Sequence, residues 1–265
     1  MGGVLGYPAM AAFQLSKWYL DCVTDSGDVS IAYAGEVRWG RVHFNFSSLL
    51  ESATGQPNVK HSLHERSTPE INQGCIAWQS KALHICGQWQ ADSAELRETI
   101  LASDRGSIDW HCMMPRARAT LGPRSGWGYA EHLNMSLAPW ELPIATLRWG
   151  RFSNANHWIV WIDWEGSYSR QLVYWNGKPA KPERLEDDRL VLGDRTVLRM
   201  DRSLVIRDSP LGGTLLGAVP KLGKAFPTRM LGVHESKWRS RARLELPDGS
   251  TADGWAIHER VTWPQ

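Results

Sequence analysis

Apolar and polar residues alternate in short runs along most of the chain, with the two-residue period of strands rather than the 3.6-residue period of helices. Runs at 18–23 and 29–39 flank Asp25-Ser26-Gly27-Asp28, a sequence suited to a hairpin turn. Further strands are predicted at 83–90, 96–102 and 108–113, the middle one also compatible with helix. The runs at 127–137 and 158–164 are strong, and 172–175 leads into Asn176-Gly177, the best two-residue hairpin signal in the chain. Gly193-Asp194 and Pro247-Asp248-Gly249 separate the later pairs of runs. Strands at this spacing, with few helical patterns, predict an all-β protein of antiparallel sandwiches or barrels.

An internal echo suggests two units. Arg38-Trp39-Gly40-Arg41 returns as Arg148-Trp149-Gly150-Arg151, an offset of 148 − 38 = 110 residues, about one small domain. The segment 116–125 follows Pro115, contains Pro123 and three arginines, and reads as a linker. This divides the chain into a domain over 1–122 and a domain over 123–265. The R-W-G-R motifs themselves are most simply structural, since arginine binds carboxylates bidentately and glycine admits a close ring. The polar stretch 50–70, with His61 and His64, reads as a long loop.

Composition narrows the function classes. The formal net charge of +2 lacks the basic excess of a nucleic-acid binder. Four cysteines, Cys22, Cys75, Cys86 and Cys112, form no C-x-x-C pair and have no histidine at zinc spacing, so neither a metal site nor a disulfide framework is expected. The first residues lack the basic region of a signal peptide, and no apolar run reaches the roughly 20 residues of a membrane span. The expectation is a cytoplasmic protein. No phosphate-cradling glycine loop, nucleophile elbow or H-E-x-x-H motif occurs, so no cofactor is expected. The 15 tryptophans, against five phenylalanines and six tyrosines, are the unusual feature. Such indoles either fill a β core or line a cavity for a flat, unsaturated ligand.

Strand alternation sorts the chemistry-bearing residues by face. Glu131 falls on the face of Trp127, Tyr129, Leu133 and Met135, an acid among apolar neighbours. Burial there raises the pKa of a carboxyl, which suits a proton donor, unless Arg148 or Arg151 pairs with it. His157, Trp161 and Asp163 share one face of the next strong strand, while Trp158, Val160, Ile162 and Trp164 form a wholly apolar second face. His157 and Asp163 are too far apart along a flat strand to form a dyad, roughly 20 Å at about 3.3 Å per residue, so Glu131 is the candidate partner of His157. Tyr19 shares a face with Asp21, and Glu36 follows the small residues Ala32 and Ala34 on its own, which leaves room for a ligand or a ring. The stripe Lys237, Arg239, Arg241 and Arg243 reads as a solvated outer face.

The opening K-W-Y-L-D with its hairpin, the G-Y-A-E strand, L-P-I-A-T-L-R-W-G-R-F and H-W-I-V-W-I-D-W resemble the lipocalin-like hydroxyneurosporene synthase family. That family includes bacterial carotenoid hydratases and fungal Diels–Alderases of decalin biosynthesis. The resemblance implies two tandem lipocalin-like antiparallel β-barrel domains. It also implies an enzyme that protonates, hydrates or cyclises a hydrophobic, unsaturated small molecule without a cofactor. His157, Trp161 and Asp163 are the counterparts of its acid site by motif likeness. The candidate catalytic residues are therefore Glu131, His157 and Asp163, and the candidate substrate-binding residues are Tyr19, Glu36, Trp39, Tyr129, Trp149, Trp158 and Trp161. Two alternatives stay open: a pericyclase that only folds its substrate, and a non-catalytic carrier of a lipophilic ligand.

Overall fold

A computed structural model describes residues 13–52, 57–210 and 227–264. The N-terminal residues read above for a leader, and part of the 50–70 stretch, lie outside the described residues. The first ten strands are β1 (Phe13–Val23), β2 (Val29–Trp39), β3 (Val42–Ser52), β4 (Asn58–Ser62), β5 (Glu70–Asn72), β6 (Cys75–Ser80), β7 (Ile85–Ala91), β8 (Leu96–Ser103), β9 (Gly106–Leu121) and β10 (Arg124–Met135). The next ten are β11 (Thr146–Ser153), β12 (Trp158–Glu165), β13 (Arg170–Trp175), β14 (Lys178–Pro179), β15 (Pro182–Leu185), β16 (Arg189–Leu192), β17 (Val197–Met200), β18 (Leu204–Pro210), β19 (His234–Glu245) and β20 (Thr251–Thr262).

Each set forms one ten-stranded antiparallel sheet. The first has the order β4-β3-β2-β1-β10-β9-β7-β6-β5, with β8 on β9; the second has β14-β13-β12-β11-β20-β19-β17-β16-β15, with β18 on β19. The two orders correspond strand for strand, so the halves are two copies of one barrel-like unit. The expected turns are where the sequence puts them. Asn176 and Gly177 both take positive φ, 48° and 82°, as the two-residue turn between β13 and β14 requires. The ambiguous run at 96–102 is strand β8, because its pairing to β9 decides what local pattern leaves open.

Two expectations about organisation change. The R-W-G-R echo does not mark the repeat: Trp39 ends β2, whereas Trp149 lies within β11, the counterpart of β1. The proposed linker is also a hairpin. β9 and β10 pair through Arg124↔Leu121 around Gly122, and both belong to the first sheet. The chain crosses to the second sheet after Met135, through a short 3-10 turn at Pro139–Glu141. Pro123 lies in the turn, whereas Arg118 is paired on both sides, with Trp127 of β10 and Gln90 of β7, inside the sheet. Within 50–70, β4 adds a strand to β3.

Three clusters of buried residues follow from the alternation. Trp18, Leu20 and Cys22 of β1 join Trp78 and Trp89 under the first sheet. Ile159 and Trp161 of β12 join Phe152, Leu198 and Leu244 under the second. The opposite faces meet in a third cluster that takes Tyr19 and Tyr129 from one half and Trp149, Val160 and Ile162 from the other. Both faces of the central strands are therefore covered, which is why β12 reads as a continuous run of apolar residues.

One buried ion pair ties the central strands together. Arg151 of β11 donates through Nε to Asp21 Oδ2 at 3.1 Å and through Nη2 to Asp21 Oδ1 at 2.5 Å. Both side chains are wholly inaccessible to water. Tyr19 also donates to Asp21 Oδ2, at 3.0 Å, and Arg151 Nη1 donates to Ser153 Oγ at 2.9 Å. Removing one member leaves an uncompensated buried charge, so Arg151→Ala is expected to cost about 3–5 kcal/mol. Arg148 is 19% exposed and shares three carboxylates, so Arg148→Ala is expected to cost far less. Denaturant titration of both variants checks this; Arg151→Ala unfolding at the parent midpoint would contradict it.

Candidate functional site

Between the two halves lies a cavity of about 300 Å³ lined by residues of both. Its walls are largely apolar, with Phe13, Phe44, Phe46, Trp140, Trp164 and Trp263 among the rings. Across this lining runs a band of polar groups that strand register explains. In the first sheet Glu131 stands opposite Tyr19, Tyr19 opposite Tyr33, Tyr33 opposite Ser48, and Ser48 opposite His61. One side chain per strand of β10, β1, β2, β3 and β4 thus faces the cavity at the same level. In the second sheet Arg207 stands opposite Lys237, Lys237 opposite Glu259, and Glu259 opposite Trp149. β10 corresponds to β20 and β1 to β11, so Glu131 and Glu259 stand on corresponding strands. Each half contributes one carboxylate from the same strand of its sheet.

Their surroundings differ. Glu131 Oε2 accepts from Trp110 Nε1 at 2.6 Å, from Tyr129 Oη at 2.6 Å and from Trp149 Nε1 at 3.3 Å. Three donors from three strands converge on one oxygen, which fixes the carboxyl's position. None of the described hydrogen bonds uses Oε1. Glu259 pairs with Lys237, which also meets Glu235 Oε1 at 3.1 Å and donates to Tyr33 Oη at 2.6 Å. Arg207 Nη1 donates to Glu235 Oε2 at 2.8 Å. Burial works against the charge of both Glu235 and Glu259. At Glu235 the charges of Lys237 and Arg207 outweigh burial and hold it at about 2. At Glu259 burial dominates, with Lys237 offsetting only part, so it is the acid of this pair that holds a proton more readily. Burial works against the charge of Lys237, but Glu259, Tyr33 and Glu235 together raise its pKa well above that of a free lysine, so it is an ammonium. Burial pushes the Tyr33 phenol up to about 12, against the pull of Lys237, so it keeps its proton. His61 is lowered by burial and by Arg207, which favours its neutral form.

Of the residues singled out from the sequence, Glu131, Tyr19 and Trp149 line this cavity. Tyr129 stands behind Glu131 as its donor, and Trp39 packs against the lining Trp140 at 4.8 Å. The others lie elsewhere. His157 sits in the turn before β12, 6.0 Å from the Trp175 ring, and Glu131 is bonded instead to indoles and a phenol. Asp163 points away from the cavity because Ile162 and Trp164, its neighbours in the alternation, point into it. It meets Arg148 at 3.2 Å and accepts from Gln171 at 3.0 Å. Glu36 is held at the surface by Arg38 and His43, on the face that carries Ala32 and Ala34 into the first core rather than toward a ligand. Trp158 packs between the sheets outside the cavity lining, and Trp161 lies in the core of the second sheet. The arginine expected beside Glu131 is paired with Asp21 instead.

The groups missed were Glu259, Lys237, Glu235, Arg207, Tyr33, Ser48 and Trp110. Glu259 carries the same signature as Glu131, an acid between Ile257 and Val261 on an apolar strand face. Lys237 was assigned to a solvated stripe, yet it is 2% exposed because the first half covers that face. No period within one half reports a partner from the other. Among the described residues no group of three or more His, Cys, Asp or Glu is placed to hold a metal ion, and no helix is long and apolar enough to cross a membrane.

The fold is shared with solved proteins. The crystal structure of CghA with Sch210972 matches with a TM-score of 0.58 at 12% identity, covering 95% of this chain and 88% of that one. A second CghA structure gives 0.57 at 11% identity, covering 99% and 94%. Kievitone hydratase from Nectria haematococca gives 0.50 at 8% identity, covering 96% and 90%. At these identities the likeness is one of fold, and it bears out the tandem β-barrel architecture that the sequence resemblance implies. No family model and no curated protein matches the chain by sequence.

Trp161 packs in the second core beside a buried histidine. It packs on Gly150, where a Cβ would come within 2.2 Å of the indole, and near His258, whose ring stacks on Trp238 at 5.2 Å. Burial lowers the His258 pKa to about 3. The unfolded chain, with histidine near 6.5, binds a proton that the folded chain refuses. Stability is therefore intact above about pH 6.5 and falls as pH drops toward 3, by up to about 1.4 kcal/mol per unit from this group. His258→Gln is expected to flatten the stability curve over that window. Parallel curves for variant and parent would refute it.

Proposed function

We propose that this chain is a cofactor-independent enzyme that hydrates or cyclises a hydrophobic, unsaturated small molecule, of polyketide or isoprenoid type, in the cavity between its two halves. The observation that carries the reading is the pair of carboxyls, Glu131 and Glu259, presented from corresponding strands within one polar band of a chamber whose remaining walls are apolar. Kievitone hydratase, whose name states a hydratase activity, and CghA, solved with Sch210972, share the fold and support a small-molecule role.

Two acids on opposing sheets suit a proton-in, proton-out reaction. Glu259, whose pKa burial raises, delivers a proton to one carbon of the double bond. While Glu259 carries that proton, Lys237 stays neutralised by Glu235 and hydrogen-bonded to Tyr33, so the ammonium is not left unpaired. In hydration, water bonds to the other carbon and gives its surplus proton to Glu131. In cyclisation, a second double bond attacks that carbon and the product loses a proton to Glu131. Either way the site ends with the proton moved from Glu259 to Glu131, and exchange with water resets it. Positive charge that builds on the substrate faces the indoles of Trp149 and Trp164. Exclusion of bulk water by the apolar walls strengthens each of these interactions.

The apolar lining also favours a second reading, a pericyclase that holds its substrate folded and lets proximity supply the acceleration. The acids separate the two. Glu259→Gln and Glu131→Gln should each lower turnover by about 10²–10⁴, the contribution of a positioned acid or base. Asp163→Asn, away from the cavity, should stay within a few-fold of the parent. The assay is loss of substrate from lipophilic extracts of the native host, followed by mass spectrometry. Full activity in both glutamine variants would exclude proton transfer by these residues and leave the pericyclase. Bound molecules recovered unchanged would leave the carrier.

A further inference from the structure

The polar band of the first sheet contains two hydroxyl groups with a hydrogen to spare. Tyr33 Oη accepts from Lys237 Nζ at 2.6 Å, so its own hydrogen points elsewhere, and no acceptor for it occurs among the described residues. Ser48 stands directly across from Tyr33 on β3. It is 7% exposed, lines the cavity, and its Oγ has no hydrogen-bond partner. A buried hydroxyl without a partner is destabilising, and a ligand that supplies the partner removes that cost. Lys237 itself cannot receive a ligand. An ammonium has three donors, and Glu235, Glu259 and Tyr33 use all three. Its charge reaches the cavity only through the phenol, whose donation it strengthens.

We infer that Tyr33 and Ser48 form a subsite for a carbonyl oxygen, so that the molecule the cavity takes is an unsaturated ketone or aldehyde rather than a plain hydrocarbon. The inference rests on the cavity reading given under Proposed function and adds the polar end of the substrate to it. Three features select a carbonyl. Both free groups can donate at once to one sp² oxygen, which has two lone pairs to receive them. An alcohol would bring a further hydrogen that itself needs an acceptor. A carboxylate or phosphate would bring negative charge beside Glu235 and Glu259. The Tyr33 ring is also held in place, edge to face with Tyr19 at 5.3 Å and with the Lys237 ammonium 5.3 Å from its centroid. The phenol is thus a fixed reference point. It determines which end of the substrate lies on β2 and β3, and so which part of the carbon chain lies between Glu131 and Glu259.

The test uses two probes that differ only at this group, chalcone and 1,3-diphenylpropene, in which the carbonyl is replaced by methylene. Equilibrium dialysis measures each against the parent, Tyr33→Phe and Ser48→Ala. Tyr33→Phe is expected to weaken chalcone about tenfold, the worth of one good hydrogen bond, and to leave 1,3-diphenylpropene unchanged. Ser48→Ala should give a smaller loss of the same selectivity. The carbonyl stretch of bound chalcone should move to higher wavenumber in Tyr33→Phe. Chalcone bound equally by the parent and both variants, or both probes weakened equally, overturns the subsite while leaving the cavity as a lipophile site. Failure of both probes to bind the parent overturns the cavity reading, and the subsite with it.

Discussion

Asp21 and Arg151 meet in bidentate geometry with no access to water, and they join β1 of one sheet to β11 of the other. Moving two charges out of water costs several kcal/mol for each, and an apolar pair of the same size would be less costly. What the ion pair adds is directionality, because two parallel hydrogen bonds between a planar guanidinium and a carboxylate constrain how the two strands sit. Pinned beside Tyr19 and Trp149, the strands hold one register, and the rings around the pin form the rear of the cavity. Tyr19 shows the coupling: its hydroxyl binds Asp21 while its ring packs against Tyr33, Tyr129 and Trp149.

The same duplication explains the chemistry of the chamber. A strand repeated in both halves brings its side chains to the interface twice, so one carboxyl on β10 is matched by one on β20. The two copies have diverged in what surrounds the acid. The first sheet offers neutral donors, two indoles and a phenol, with one of the indoles reaching across from β11. The second offers an ammonium, a guanidinium and a further carboxylate. Different surroundings for equivalent acids are what separates a proton donor from a proton acceptor.

This also explains how far the sequence could be read. Alternation and turn chemistry are local, and they located the β1–β2, β13–β14 and β19–β20 hairpins. Pairing is not local, which is why a pair of strands joined at Gly122 passed for a linker, and why R-W-G-R suggested a repeat that strand order places elsewhere. Glu131 was legible because an acid on an apolar face is conspicuous, and Glu259 was legible by the same rule had it been applied to the last strand. Lys237 was not, since a lysine in a basic stripe is ordinarily at the surface and only the opposite half buries it. His157 and Asp163 drew attention through motif likeness, yet the parity of β12 turns Ile162 and Trp164, not Asp163, into the cavity.

The claim that joins these points is that the chamber between the sheets, rather than the inside of either one, is where a ligand binds. A crystal structure with 4′-bromochalcone tests it most directly, since the anomalous signal of bromine locates the molecule without reference to the protein density. The account predicts one bromine peak among the rings around Trp140 and Trp263, with the carbonyl oxygen within hydrogen-bond distance of Tyr33 Oη. A peak within the core of either sheet, beside Trp89 or Trp161, or one on the outer surface with the chamber empty, would contradict it.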